Sequence, residues 1–134
     1  MNRELFEKGM KVRREVLGAE YVDAAIKNAD ELTMPLQELI TQYCWGEVWT
    51  RPGLDRRTRS FLNLAMITAL NRPHELKLHV RGAINNGLTR EEIVEVFIQT
   101  AIYCGVPAAN HAFREAGELV KAHETKAAPR RKRS

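Results

Sequence analysis

Apolar residues recur at spacings of three and four along most of the chain, which is the pattern of amphipathic α-helices. Strand-like alternation of apolar and polar residues is nearly absent, and glycine and proline interrupt the pattern at intervals that suit helices. The sequence therefore predicts an all-α fold of about six to seven helices. We place them at 2–17, 19–31, 34–48, 56–70, 73–86 and 107–123, with a further helix between Thr89 and Gly105.

Local signals mark several helix ends. Asp55 can cap the helix 56–70, Pro73 suits the first turn of the next helix, and Thr89 with Glu92 forms a capping box. The helix 56–70 carries an apolar stripe that we predict to be core, made of Phe61, Leu62, Leu64, Ala65 and Ile67.

The length of 134 residues suits one compact domain, which we place at 1–124. The net charge of +4 has a local origin, because residues 126–134 contain five of the 21 Lys and Arg residues and no Asp or Glu. We expect a basic, disordered tail at 125–134 and no nucleic-acid partner. A contact between this tail and a polyanion is the alternative.

No stretch approaches the ~18–20 apolar residues of a membrane span, and the N-terminus is charged rather than built as a signal peptide. We therefore expect a soluble, cytoplasmic protein with no membrane partner. The two cysteines, Cys44 and Cys104, form no CxxC motif, which favours buried thiols over a redox pair or a zinc site.

The helix 73–86 carries the clearest candidate chemistry. A helical wheel places Glu75, His79 and Asn86 within about 40° of one another, inside the apolar sector. A carboxylate four residues before an imidazole can contact it and raise its proton affinity, so the pair suits proton transfer. A structural pair that only satisfies itself is the alternative. His74 points away from His79, and we expect no metal site.

Aromatic and basic residues are concentrated just before and within the helix 56–70. Trp45 and Trp49 precede a cluster of four arginines, and aromatics beside guanidinium groups suit a planar anionic ligand. Core packing for the tryptophans and a solvated helix face for the arginines are the alternatives. Among the arginines Arg51, Arg56, Arg57 and Arg59, Arg51 is the strongest candidate because it lies in a Pro-Gly loop.

Two segments, WGEVWTRPGLDRRTRS and RPHELKLHVRGAINNGLTREEIVEVFIQTAIYCGVPAANHAF, resemble the gamma-carboxymuconolactone decarboxylase family of the alkylhydroperoxidase-like superfamily. The resemblance covers about residues 3–122. It implies an all-helical subunit in a homo-oligomer, commonly a hexamer, with no cofactor. It also implies an activity, the decarboxylation of 4-carboxymuconolactone to 3-oxoadipate enol-lactone in protocatechuate catabolism by the beta-ketoadipate pathway.

The resemblance implies that His79 is the acid–base residue, and we extend that expectation to Glu75. Such a substrate carries its own electron sink, so the protein need only bind it, stabilise it and protonate it. The dicarboxylic lactone also needs residues that hold its ring and its retained carboxylate. Our candidates for substrate binding are Trp45, Trp49, Arg51, Arg72, Arg81 and Cys104.

Three other functions remain open from the sequence. One is a related lactone decarboxylase, and another is a non-enzymatic helical module. The third is a thiol-dependent alkylhydroperoxidase-like reductase that acts through Cys44 or Cys104. Thiol relatives place a CxxC motif one helical turn before the histidine, where this chain has Arg72-Pro73-His74-Glu75. The missing cysteines disfavour the thiol function.

Overall fold

A computed structural model describes residues 1–123, which form eight consecutive helical segments. Seven are α-helices and one is a π-helical stretch, here called the π segment. Their bounds are α1 Arg3–Leu17, α2 Ala19–Lys27, α3 Met34–Leu39, the π segment Ile40–Val48, α4 Arg56–Ala69, α5 Pro73–Asn85, α6 Arg90–Cys104 and α7 Val106–Ala122. No strand occurs within this described range, so the all-α prediction is confirmed.

Two earlier expectations concern the C-terminus. The predicted domain limit at residue 124 and the predicted basic tail at 125–134 both lie outside the described residues. Within residues 1–123, every helix is too short or too polar to span a lipid bilayer.

The predicted caps of α4 and α6 are confirmed. The carboxylate of Asp55 accepts a hydrogen bond from the Thr58 amide at 2.8 Å. At the start of α6, the Glu92 amide donates to the Thr89 hydroxyl at 3.0 Å and the Thr89 amide donates to the Glu92 carboxylate at 2.8 Å. These side chains occupy groups that the first turn of a helix otherwise leaves without partners.

The second helix is shorter than predicted, since α2 ends at Lys27 rather than at residue 31. The helix ends early because a separate turn begins at Asp30. Its carboxylate accepts hydrogen bonds from the amides of Leu32 at 2.9 Å and Thr33 at 3.0 Å. A side chain that binds the backbone in this way competes with helical hydrogen bonding.

The prediction of one regular α-helix over 34–48 is wrong in its second half, which is π-helical from Ile40. Side chains supply donors where the register changes. The Thr41 hydroxyl donates to the Gln37 carbonyl at 2.7 Å, and the side-chain amide of Gln42 donates to the Glu38 carbonyl at 3.0 Å. At the other end, the Trp49 amide bonds the Cys44 carbonyl at 2.9 Å, five residues back. π-Helical turns of this kind are frequent at functional sites.

Helix α1 packs closely against the π segment. A Cβ atom added at Gly9 would lie 1.8 Å from the Thr41 carbonyl oxygen, and one added at Gly46 would lie 2.6 Å from the Leu5 carbonyl oxygen. The two backbones therefore approach through glycine on both sides, closer than any side chain allows.

The core has two parts, and α5 lies between them. One part lies among α4, α5, α6 and α7, around side chains such as Leu64, Leu76 and Phe97, which are almost fully buried. The other joins α1, α2 and the π segment around Val16, Val22, Trp45 and Trp49. One predicted core residue is misplaced, because Leu62 points to the surface and is 46% exposed.

Candidate active site

Helices α4 and α5 form an antiparallel hairpin whose facing surfaces carry polar side chains. The side-chain amide of Asn86, at the end of α5, donates to the Ser60 hydroxyl at 2.9 Å. Further along, Nδ2 of Asn63 lies 3.5 Å from Nδ1 of His79. The face that the helical wheel gave to His79 and Asn86 is thus the face that meets α4.

Trp45 of the π segment lies beside His79, and Trp49 stacks on Trp45. Their indole rings are stacked, with centroids 4.8 Å apart and planes inclined by 24°. The Trp45 ring lies parallel to the His79 imidazole within 7°, at a centroid distance of 6.5 Å. Both tryptophans are buried. The structure therefore brings together the aromatic pair and the histidine, which are separated by thirty or more positions in the sequence.

Burial sets the electrostatics of His79. Desolvation lowers the pKa of the imidazole from its ordinary value, and the negative charge of Glu75 opposes that shift. In the orientation described, Asn63 donates to Nδ1, so the neutral ring carries its proton on Nε2. Burial and this contact thus both favour the neutral imidazole over the imidazolium.

Glu75 departs from expectation. It is exposed rather than inside the apolar sector, and no hydrogen bond joins it to His79 within residues 1–123. The reason is its position in the first turn of α5. A helical wheel gives the direction of a side chain but not whether a neighbouring helix extends far enough to cover it. Glu75 acts on His79 through its charge alone.

The four arginines between the π segment and the middle of α4 differ in their partners. Arg51 pairs with Glu47 at 3.5 Å, and both side chains are more than half exposed. Arg56 pairs with Glu15 at 2.8 Å, and Arg57 pairs with Glu92 at 2.5 Å. Arg59 has no carboxylate partner among the described residues. Its Nη2 donates to the Arg51 carbonyl at 3.2 Å, and its Nε is buried without a hydrogen bond.

Three predicted substrate-binding residues lie apart from His79. Arg72 precedes α5 and borders a small cleft against α7. Arg81 points to the other side of α5, towards Leu119. Cys104 is exposed at the end of α6, in a groove between α4 and α6. In the part of the chain that the structure describes, none of the three has a hydrogen bond, ion pair or ring contact with His79 or the tryptophans.

The cysteines are free and differ in environment. Cys44 is half-buried, and burial raises the pKa of its thiol, against the opposing effects of the Arg13 charge and a hydrogen bond from Trp49. A raised pKa leaves little of the reactive thiolate at neutral pH. Between Met1 and His123, no three His, Cys, Asp or Glu side chains come together in the manner of metal ligands.

Comparison with known proteins decides the family. Residues 35–118 match the Carboxymuconolactone decarboxylase family. This chain belongs to that family. The match runs from α3 into α7, so every residue of the His79 site lies within it.

Relatives within the carboxymuconolactone decarboxylase family include two with named activities. Nitrosuccinic acid decarboxylase of Metarhizium robertsii is 53% identical over 112 residues, which cover 84% of this chain and 78% of the relative. 4-Carboxymuconolactone decarboxylase of Acinetobacter baylyi is 39% identical over 120 residues, or 90% of each chain. An uncharacterized 15.0 kDa protein of Paracoccus denitrificans is 37% identical over 83 residues. Both named relatives are decarboxylases, which supports a decarboxylase activity for this family member.

Sequence reasoning missed Asn63 as a part of this site. The signal was present, because Asn63 is a polar residue between Leu62 and Leu64 in an apolar helix. The lack of a carboxylate partner at Arg59 had no such signal. It depends on which acidic residues of other helices reach the neighbouring arginines.

Proposed function

We propose that this chain decarboxylates a small dicarboxylic acid whose departing carboxylate lies on a carbon joined to an electron-withdrawing group. The supporting observation is the half-buried His79, which lies beside Asn63 and parallel to the Trp45 ring in the part of the chain that matches the family. The activities of the two named relatives give the reaction class.

The substrates named for those relatives share a skeleton. Nitrosuccinic acid and 4-carboxymuconolactone each have one carbon that carries a carboxylate, a carboxymethyl group and an acceptor. The acceptor is a nitro group in one and an unsaturated lactone in the other. Either group takes up the electron pair when carbon dioxide leaves. Such a substrate supplies its own electron sink, so the proposed reaction uses no cofactor.

His79 is the proposed proton donor. A dianionic substrate beside the ring favours the imidazolium form, which opposes the effect of burial. The C–C bond to the carboxylate breaks, its electron pair moves into the acceptor, and carbon dioxide departs. His79 then gives its proton to the resulting carbanion equivalent, and solvent restores that proton. One proton is consumed for each carbon dioxide released.

The aromatic wall serves the same step. Trp45 and Trp49 are almost fully buried, and the Trp45 ring lies parallel to the imidazole. In this proposal the departing carboxylate lies beside the imidazole, where the tryptophans keep water away. It loses hydration there, whereas neutral carbon dioxide needs none, so a dry site favours departure. Glu75 supports the imidazolium through its charge from the exposed first turn of α5.

Nitrosuccinate is the first substrate to test, because the relative named for it shares 53% of 112 aligned residues with this chain. 4-Carboxymuconolactone is the second, since the relative named for it aligns over 90% of both chains. In the second case the product is the enol-lactone of 3-oxoadipate, formed during protocatechuate breakdown.

The test incubates the purified protein with each compound in the presence of a chelator and measures carbon dioxide together with the organic product. We expect stoichiometric 3-nitropropanoate from nitrosuccinate, or enol-lactone from 4-carboxymuconolactone. A His79→Ala variant with unchanged circular dichroism is the control for background loss of carbon dioxide. If folded wild-type protein releases no carbon dioxide from either compound, the proposed function is overturned.

We also infer that the chain forms a homo-oligomer, with a hexamer as the expected size from the family resemblance. Large apolar side chains lie exposed on neighbouring faces of α4 and α6. They are Leu62, Met66, Leu70, Ile98, Ile102 and Tyr103, each at least 46% exposed. Contiguous apolar surface of this kind is typical of an interface. Sedimentation equilibrium should give a multiple of 15.3 kDa, and Met66→Glu should reduce that mass. A monomeric wild-type protein would contradict the inference.

A further inference from the structure

Arg59 differs from the three arginines near it in the sequence. Arg51, Arg56 and Arg57 each pair with a carboxylate, but none of the described carboxylates pairs with Arg59. Its only hydrogen bond among residues 1–123 goes from Nη2 to the Arg51 carbonyl, 3.2 Å away. A guanidinium group has five N–H donors, and the described residues provide an acceptor for one of those of Arg59.

The Nε atom of Arg59 is buried and has no hydrogen-bond partner. A buried donor without a partner is costly, and such groups are rare in folded proteins. The side chain as a whole is only partly buried, so part of it is open to solvent. A bound anion would accept hydrogen bonds from N–H groups of Arg59 that have no partner among the described residues. The Arg59 side chain gains these hydrogen bonds if it rotates towards the anion.

Two structural relationships connect Arg59 with the His79 site. Asn63, which contacts His79, is one helical turn after Arg59 on the same face of α4. The Arg51 carbonyl that Arg59 binds is two residues after Trp49, which stacks on Trp45. Arg59 thus lies one helical turn from Asn63, and its hydrogen bond joins it to the segment that follows Trp49.

We propose that Arg59 binds the carboxylate that remains on the substrate, and that it thereby selects which of the two carboxylates faces the tryptophans and leaves. This assignment rests on the proposed decarboxylase function. A guanidinium fork holds a carboxylate through two parallel hydrogen bonds, which fixes direction as well as charge. With one carboxylate held by Arg59, the other lies beside His79, where the two tryptophans exclude water. Arg51, which is exposed and paired with Glu47, contributes its backbone carbonyl to position Arg59.

Binding can be measured separately from turnover. The chain has two tryptophans, and both lie in the wall, so intrinsic fluorescence reports on occupancy of the site. Succinate is the probe, because it has the carbon skeleton of the proposed substrates without the acceptor and cannot lose carbon dioxide by this mechanism. Butanoate is the matched probe that lacks one carboxylate. We expect wild-type protein to bind succinate more tightly than butanoate.

The decisive variant is Arg59→Gln, with Arg56→Gln as the matched control on the same helix. We expect Arg59→Gln to weaken succinate binding by about 10- to 100-fold while butanoate binding changes little. KM for the substrate should rise by a similar factor, and Arg56→Gln should keep the wild-type preference for succinate. Arg59→Lys retains the charge but not the fork, so it should give an intermediate loss.

The possible failures can be distinguished. No carbon dioxide from folded wild-type protein overturns the proposed function, and the role of Arg59 with it. Normal wild-type turnover, with an unchanged KM and an unchanged ratio of succinate to butanoate affinity in Arg59→Gln, overturns the role of Arg59 alone. If Arg59→Gln loses its helical circular dichroism, Arg59→Lys is judged by the same criteria.

Discussion

The imidazole of His79 lies parallel to the indole of Trp45, with 7° between the ring planes and 6.5 Å between their centroids. Trp45 is 3% exposed and is held in turn by Trp49. The tryptophan therefore shields one side of the histidine from water. Because desolvation is the main cause of the lowered pKa of His79, the aromatic wall and the acid–base behaviour of the ring are physically coupled.

That coupling predicts the effect of Trp45→Phe. The smaller ring leaves room for water beside His79, so the pKa of the imidazole should rise towards its ordinary value of 6.5. Trp49→Phe is the control, since Trp49 stacks on Trp45 and has no ring contact with His79 among the described residues. The measurement is an NMR titration of the histidine Cε1–H resonance, assigned with His79→Gln. Equal shifts in both variants would contradict a specific role for Trp45.

Glu75→Gln should move the same pKa in the opposite direction. The carboxylate charge stabilises the imidazolium, so removing it lowers the pKa of His79 further. If the imidazolium is the proton donor, kcat/KM falls as pH rises through a midpoint below 6.5, and that midpoint shifts to lower pH in the variant. Glu118→Gln, on the exposed side of α7, controls for a general change in charge. An unchanged pH profile would show that Glu75 plays no part.

His79→Ala tests the acid–base role directly. Loss of a positioned proton donor typically costs about 10²- to 10⁴-fold in rate, and we expect kcat to fall within that range. His74→Ala is the matched control, because His74 is exposed on the opposite arc of the same helix. Both variants should keep the wild-type circular dichroism spectrum. Comparable activity losses in the two would mean that the histidine of this site is not special.

Asn63→Leu removes the hydrogen bond at Nδ1 of His79 while keeping the branched shape and the number of side-chain heavy atoms. We expect kcat to fall by up to about tenfold, in keeping with the loss of one hydrogen bond, and KM to change little. Nitrogen-15 chemical shifts of the His79 ring should show the Nε2–H tautomer in wild-type protein and a mixture of tautomers in the variant. A wild-type ring with its proton on Nδ1 would contradict the role given to Asn63.

The parts of the fold that the sequence predicts are those with local causes. Asp55 and Thr89 cap helices through amides three residues away, so their roles are visible in a short window. His79 faces α4 because the period of α5 directs it there. The tryptophans could be singled out by composition, but the ring contact of Trp45 with His79 depends on where the π segment lies relative to α5.

What could not be predicted depends on contacts between distant segments. The exposure of Glu75 follows from where neighbouring helices end, and the unused donors of Arg59 follow from which acidic residues reach Arg56 and Arg57 instead. The change of register at Ile40 also has no periodic signature, because an apolar stripe looks alike over one π-helical turn and one α-helical turn. These three features shape the site more than the helix boundaries do.

Gly9→Ala tests whether close packing of α1 holds the π segment in place. The new Cβ atom would lie 1.8 Å from the Thr41 carbonyl oxygen, so the helices must separate. We expect the free energy of unfolding to fall by about 3 kcal/mol, as in other overpacked cores. Gly117→Ala is the control, since no atom lies within 4 Å of a Cβ added there, and this change should be neutral or slightly stabilising. The measurement is the melting temperature of each variant. Tryptophan fluorescence should shift only in Gly9→Ala, because one tryptophan lies in the π segment and the other follows it directly. If Gly9→Ala has the melting temperature of the wild-type protein, α1 does not constrain the position of the two tryptophans.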